Sequence, residues 1–363
     1  MPRFSPKREM QGNGRRARDM AENKARPQPP DCTRKRGRGF LAACFAAGLL
    51  FFVLAGQGCA ALDAKKGAAA GDPVKAPAGE GADVYFTGDI SGKGLMAVYK
   101  KLNANIAGKV VIKLHMGERG NTNYLSPGLL RDLSGAVRGT LADSNVLYGG
   151  ARAATAGHLA LAKEHGFTFA PVDILDADGD SVIPVAGGNR LKEAIVGSHI
   201  LDYDWLISVA HFKGHGMAGF GGTFKNIAVG VASPRGKRAI HSSGEGTFSS
   251  TGEPFLEKVI EYAKAVIDTK KGKALYINVL NNLSVDCDCD ARAAHPLMPD
   301  IGILASLDPV ALEKASLDLI YARPDAEKKH LVERIESKNG AYQIKYAEKI
   351  GLGSAKYKLI KID

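Results

Sequence analysis

Two clusters of chemically able side chains stand out in this chain of 363 residues. The first runs from His211 to Asn226 and follows directly on an apolar stretch, residues 205–210. It holds His211, Lys213, His215, Lys225 and Asn226, separated by glycines that include Gly219, Gly221 and Gly222. Imidazoles act as acid–base groups or metal ligands. Ammonium groups attract anions, and glycines let backbone N–H groups approach a bound molecule closely. Lys213, His215 and Lys225 are therefore the candidate catalytic groups. Gly219, Gly221, Gly222, Lys225 and Asn226 are the candidate cofactor contacts. His211 and His215 stand four residues apart, a helical spacing, but the glycines favour a loop that folds back on itself.

The second cluster is Asp286-Cys287-Asp288-Cys289-Asp290, just beyond the apolar run 274–280. In an extended segment this alternation puts both sulfurs on one side and the carboxylates on the other. Two close thiolates suit zinc, copper(I) or iron. In an oxidising compartment they can form a strained disulfide with a redox role, and a purely structural role stays open. His241 is a third histidine that folding can bring to the pair, as are His115 and His295. The candidate metal ligands are thus His211, His215, His241, Cys287 and Cys289. Two other patterns fall short. Residues 88–94 are one residue too short for a phosphate loop, and residues 176–180 lack the later glycine and glutamate of a calcium loop. There is no nucleotide motif.

Both clusters need strands to position them. Apolar runs at 110–114, 146–148, 167–174, 205–210, 274–280 and 301–305 read as strands. Between them, 127–141, 154–165, 254–268 and 309–321 carry helical patterns. Pro254 and Pro309 mark first helical positions, with Asp308 as an N-cap. Phe255, Val259, Ala263 and Val266 form an apolar stripe along one helix. The alternation predicts an α/β protein with a largely parallel sheet and flanking helices, as one body or as two lobes with the site between them. Ligands in such sheets bind beyond the carboxyl ends of the strands, where both clusters fall. The stretch 214–252 breaks the alternation, and an irregular segment of that length is a mark of function.

Charge and composition set the remaining bounds. With 45% apolar residues and five cysteines, the chain is globular and not a disulfide scaffold. Lys+Arg number 49 against 38 Asp+Glu, a net +11. Residues 1–39 hold 12 against 4, or +8, so the rest holds 37 against 34, or +3. The body therefore offers no basic face for nucleic acid. Residues 40–55 carry no charge, follow Arg34, Lys35, Arg36 and Arg38, and precede small residues up to Ala61. This is the pattern of a secretory signal or an uncleaved anchor. Cys59, after Gly58, is a candidate for lipidation, with cleavage near Ala61 as the alternative. The expected organisation is a leader over 1–61, a flexible Ala/Gly/Lys/Pro linker over 62–82 and a folded body over 83–363. The expected place is the periplasmic side or cell envelope, tethered to the membrane.

Three stretches, FKGHGMAGFGGTFKNIAVG (212–230), VDCDC (285–289) and PDIGILASLDPVAL (299–312), together resemble the domain-of-unknown-function 362 family. The resemblance runs from about residue 83 to the tail at 342–359. It implies an α/β fold, and the family's frequent label, iron–sulfur centre protein, implies a metal or cluster. Many members carry a ferredoxin-like insert with cluster-binding cysteines after the position of His241, Ser242 and Ser243. Here residues 244–251 lead directly to the helix at Pro254 and contain no cysteine. A weaker resemblance links His215, Gly219, Gly221, Gly222 and Lys225 to a loop of nickel-dependent lactate racemases, whose lysine tethers a nickel pincer cofactor. Lys225 comes one residue later here, and Gly221 replaces a serine. That resemblance implies a cofactor- or substrate-contacting Lys225, with His211 and His215 as ligands or acid–base groups.

Three functions follow. One is an exported metal- or iron–sulfur-centre-binding protein, with a pocket joining the His211–Lys225 loop to Cys287 and Cys289. Another is a metal-free, racemase- or isomerase-like enzyme acting on a small anionic metabolite. The third is a non-catalytic binding protein on a tether. The partners expected are a small molecule or metal and the membrane.

Overall fold

Two fully buried strands organise the molecule. A computed structural model describes residues 81–363 apart from residue 245. The leader, the 40–55 segment, Cys59 and nearly all of the linker lie outside the described residues. The strands are β1 (Ala82–Thr87), β2 (Val110–Lys113), β3 (Thr140–Asp143), β4 (Val172–Ile174), β5 (Asp180–Pro184), β6 (Glu193–Gly197), β7 (Trp205–His211), β8 (Lys213–His215), β9 (Gly219–Gly221), β10 (Ala274–Leu280), β11 (Gly302–Ser306) and β12 (Tyr357–Lys361). The helices are α1 (Gly92–Lys101), α2 (Pro127–Val137), α3 (Thr155–Glu164), α4 (Thr223–Ala228), α5 (Pro234–His241), α6 (Gly252–Thr269), α7 (Pro309–Tyr321), α8 (Asp325–Ser337) and α9 (Tyr342–Lys349). All seven residues of β7 and all seven of β10 are buried. Strands covered on both faces read as continuous apolar runs, which is why both were legible.

The main sheet has eight strands in the order β12-β1-β11-β10-β7-β2-β3-β4. Every pairing is parallel except the two made by β11. From β2 the chain steps outward to β3 and β4, then returns on the other side of β2 as β7. The strand order therefore switches between β2 and β7, which opens a crevice at their carboxyl ends. One face is covered by α1, α2 and α3 through Leu95, Leu129, Leu133 and Ala162. The other is covered by α4, α6 and α7 through Phe224, Phe255, Val259 and Leu312. Each large side chain buried from α6 contributes about 1.5–3 kcal/mol. The described body is one compact unit around one sheet, so the alternative of two lobes gives way to a site at a sheet edge. Among the described residues, no helix is long and apolar enough to cross a membrane.

Several boundaries differ from the sequence expectations. The helix predicted over 127–141 ends at Val137, where Arg138 turns into the left-handed region at φ 49°, and Thr140–Asp143 becomes a central strand. A non-glycine residue in that conformation is an uncommon helix stop, so the sequence carried little warning. Residues 146–148 are not a strand, and of 167–174 only Val172–Ile174 pairs. The glycine-rich stretch after β7 folds back as predicted, through the β8–β9 hairpin, but it then enters α4.

Glu313, from α7, holds the start of α4. Its carboxylate accepts the Phe224 N–H at 2.9 Å, with the Thr223 N–H and Asn278 Nδ2 as further donors. Burial pushes the Glu313 carboxyl up to about 7, against those hydrogen bonds. A carboxyl raised in the folded state stabilises fully below its unfolded value near 4.5, and that contribution is lost as pH rises through about 7. Urea unfolding across pH 5–8 is expected to show this loss in the wild type and a flatter profile in Glu313→Gln. Glu313→Ala, which strands two helix N–H groups, is expected to cost about 2–3 kcal/mol at pH 6.

Candidate active site

Four adjacent parallel strands end at the same edge: β3 at Asp143, β2 at Lys113, β7 at His211 and β10 at Leu280. Beyond them lies a cavity of about 350 Å³. Its walls come from the β2 and β3 ends, the β8–β9 hairpin, α4, α5 and the turn that carries the two cysteines.

The cysteine motif is a turn, not the expected extended segment. Asp290 N–H donates to the Cys287 carbonyl at 2.9 Å. Both cysteines border the cavity, while Asp288 turns away from it into the protein. There its carboxylate meets His211 Nδ1 at 2.8 Å and Lys213 Nζ at 2.7 Å, with all three side chains nearly or fully buried. Burial alone would raise the Asp288 carboxyl, but His211 and Lys213 outweigh it and hold the group well below the usual carboxylate range. Asp288 raises Lys213 in turn, against the lowering effect of burial.

Cys287 is the end of this arrangement that faces the cavity. Its sulfur lies 3.8 Å from Lys225 Nζ and accepts the Cys289 backbone N–H at 3.5 Å. The neighbouring Cys289 thiol, with Lys225 and Lys213, holds the Cys287 thiol well below the usual range, despite burial. The Cys287 sulfur beside it, with burial, pushes the Cys289 thiol up. The pair is a thiolate beside a thiol, and thiolates are the nucleophiles. Lys225 stands on the first turn of α4, set there by Glu313 and by Gly222, where a Cβ would lie 2.3 Å from the Glu313 carboxylate.

The three expected histidine ligands have distinct fates. His211 does not reach the cavity: Nδ1 meets Asp288, and Nε2 meets the Asn281 carbonyl at 2.7 Å. Both nitrogens are spent, so it is a strut and not a ligand. His215 borders the cavity, but its Nδ1 accepts the N–H groups of Met217 and Ala218 at 3.2 and 3.0 Å. A neutral ring so bonded carries its proton on Nε2 and offers a donor instead of a metal-binding lone pair. Burial, aided by Lys225 and His241, keeps it neutral. His241 is the complement. Its Nδ1 donates to the Lys237 carbonyl at 2.7 Å, which leaves an Nε2 lone pair, and burial lowers the ring to about 4. His115 also borders the cavity, whereas His295 lines a separate groove. Phe248 stands at the rim, half exposed and edge-on to His241 at 5.4 Å.

Of the glycines, Gly221 and Gly222 border the cavity. Gly219 does not: it turns the hairpin at φ +80°, and a Cβ there would lie 2.8 Å from the Ile335 carbonyl. Asn226 reaches the cavity and ties α4 to the sheet through the Lys113 carbonyl at 2.8 Å and Ser208 at 2.9 Å.

The remaining wall was not foreseen. Lys113, Asp143, Tyr148, Arg152 and Lys237 all line the cavity. Lys113 Nζ lies 3.0 Å from Asp143, and Arg152 joins Asp143 at 3.3 Å and Glu118 at 3.1 Å. Lys237 differs from these. It is 94% buried, its ammonium donates to the Ala232 carbonyl, and no carboxylate pairs with it among the described residues. Burial lowers it to about 7. The available signals were the charged end of VVIKLH and a lysine within the glycine-rich stretch.

The family model described as "Domain of unknown function (DUF362)" matches residues 110–318. The chain belongs to the DUF362 family. A comparison with curated proteins finds no match. Among solved structures, the lactate racemase apoprotein from Thermoanaerobacterium thermosaccharolyticum is similar over 66% of this chain and 56% of its own, at 15% identity and a TM-score of 0.39. A structural-genomics target protein from Thermotoga maritima is similar over 73% of this chain and 60% of its own, at 10% identity and a TM-score of 0.35. The chain thus spans less than two thirds of the length of either.

The iron–sulfur label of DUF362 proteins can be tested on the donors present. Such a cluster is held by four cysteine thiolates or their equivalents, and the described residues contain two cysteines. Among the described residues, no group of three or more His, Cys, Asp or Glu side chains is placed to hold a metal ion. With His211 spent and His215 Nδ1 occupied, these side chains do not form a shell for a metal or cluster.

The thiolate assignment has a direct check. Iodoacetamide is expected to label Cys287 ahead of Cys289, with a rate-against-pH midpoint below the value of about 8.5 for a free cysteine. Tandem mass spectrometry of the peptide 274–292 separates the two sites. Lys225→Met is expected to move the midpoint upward.

Proposed function

We propose that this DUF362 protein is an enzyme that binds a small carboxylate-bearing molecule in the cavity and acts on it with its own side chains. The observation that carries the reading is Lys237. An ammonium group buried without a carboxylate partner is costly, and an anionic ligand in the cavity supplies the missing charge. Lys225 and the Nε2–H of His215 border the same space and add donors for an anion. Val146, Leu147, Met217 and Val229 surround them with apolar surface suited to a short carbon skeleton.

The same cavity holds groups able to move a proton. His241 Nε2 and the Cys287 thiolate are acceptors, and His215 Nε2–H is a donor. Burial and the lysines keep His241 a weak base in the free protein. A bound carboxylate offsets those lysines, which raises His241 toward the working range of a general base. A proton taken from the carbon next to a carboxylate or carbonyl, and returned from a second group, is the isomerase-like chemistry that this set supports. The leader adds a proposal about place: an envelope location, with attachment through residues 40–55 or a lipid on Cys59. Fractionation of wild type and Cys59→Ser tests it, and a wholly soluble wild type would refute it.

Calorimetry with a panel of short mono- and dicarboxylates, 2-hydroxy acids and 2-oxo acids tests the binding. Lys237 is near 7 when free, and a bound anion raises it. Affinity is therefore full below pH 7 and is lost as pH rises through that value. A fall of about tenfold between pH 6 and pH 8 is expected, with proton uptake on binding. Lys237→Met is expected to bind weakly and without that pH dependence. No binding by the wild type at either pH, or an unchanged profile in Lys237→Met, would reject the reading.

A further inference from the structure

Cys289 borders two hollows. One is the cavity it shares with Cys287. The other is an open surface groove formed with Glu118, Arg119, Tyr148 and Asp290. Cys287 is 95% buried and borders only the first. Both cysteines are free, with one residue between them, and the Cys289 backbone N–H donates to the Cys287 sulfur at 3.5 Å. Two residue steps span at most about 7 Å, and the turn shortens that reach toward the roughly 5.5–6 Å between Cα atoms that a disulfide prefers. Asp288, between them, is pinned by His211 and Lys213, so the two sulfurs are held on the same side.

We infer that Cys287 and Cys289 form a thiol–disulfide couple, in which Cys287 attacks a small anionic disulfide in the cavity and Cys289 resolves the product and exchanges with an external dithiol at the groove. In the first step the Cys287 thiolate bonds to one sulfur of the disulfide, and the other sulfur leaves as a thiolate. In the second, Cys289 gives its proton to a departing thiolate and attacks the Cys287 sulfur, and the remaining half leaves as a second thiolate. One disulfide is reduced to two thiols, and the protein dithiol is oxidised by the same two electrons. An external dithiol then attacks Cys289 from the groove and restores the pair. Lys225 favours the attacking thiolate, and the Cys289 N–H steadies it between steps. The preference for an anionic disulfide rests on the reading of the cavity as an anion site, whereas the exchange itself does not.

The full chain, reduced and freed of reductant, is mixed with dithiodiglycolate or with uncharged bis(hydroxyethyl) disulfide. Quenched samples are read by mass spectrometry of the peptide 274–292, which excludes the cysteines of the leader. The wild type is expected to lose two hydrogen atoms from this peptide with either reagent, about tenfold faster with the anionic one. Cys289→Ser is expected to trap the mixed disulfide on Cys287, and Cys287→Ser to form no adduct at comparable rate. A wild type that forms no 287–289 disulfide, or a Cys289→Ser variant that traps nothing, would overturn the couple. Exchange at equal rates with both reagents would keep the couple and remove the anionic preference. Lys237→Met is expected to lose the preference for dithiodiglycolate, and a preference kept in that variant would detach the anionic choice from Lys237.

Discussion

The cavity depends on one buried carboxylate. Asp288 sits where water does not reach, between an imidazole and an ammonium that both come from the β7–β8 segment. Its backbone carbonyl also accepts the Glu118 N–H at 2.9 Å, and Glu118 grips Arg152. A single residue thus ties the cysteine turn to the ends of two neighbouring strands. Removing its charge would leave the buried Lys213 ammonium and the His211 ring without their acceptor, a loss far larger than that of a surface ion pair. The position of both sulfurs follows from this anchor, because they lie on either side of it in the chain.

Around the anchor, the charges divide by whether the protein itself satisfies them. Lys113, Arg152 and Lys213 are matched by Asp143, Glu118 and Asp288, and they hold the sheet edge rigid. Lys225 faces a thiolate, and Lys237 faces only a carbonyl. The fold thus fixes its framework with complete pairs and leaves the incomplete ones pointing into the hollow. His215 and His241 repeat the division at the level of the proton: two neutral rings, one offering N–H and the other a lone pair, with the tautomer of each set by backbone groups.

What could be read from the sequence was local. The strands β7 and β10 announce themselves because burial on both faces demands unbroken apolar runs. The two motifs that follow them meet because parallel strands deliver their ends to one edge. The assignment of His211 as a ligand failed for the opposite reason. Its partners are Asn281 and Asp288, 70 and 77 residues away, and nothing in the local pattern distinguishes a strut from a ligand. Lys113, Asp143 and Arg152 were hidden in the same way, since a charge at a strand end reads as solvated until its partner is known. The short strand β3 was lost because its helix stops on an arginine in a glycine-like conformation.

Gly214 gives the cavity one closed seam. A side chain there would lie 2.3 Å from the Val285 carbonyl, and its own N–H donates to Ser284 at 2.7 Å, so hairpin and cysteine turn touch backbone to backbone. Phe248, in the segment between α5 and α6, stands at the rim. A half-exposed phenyl ring there makes the mouth apolar, so any choice by charge falls to the groups deeper in the cavity.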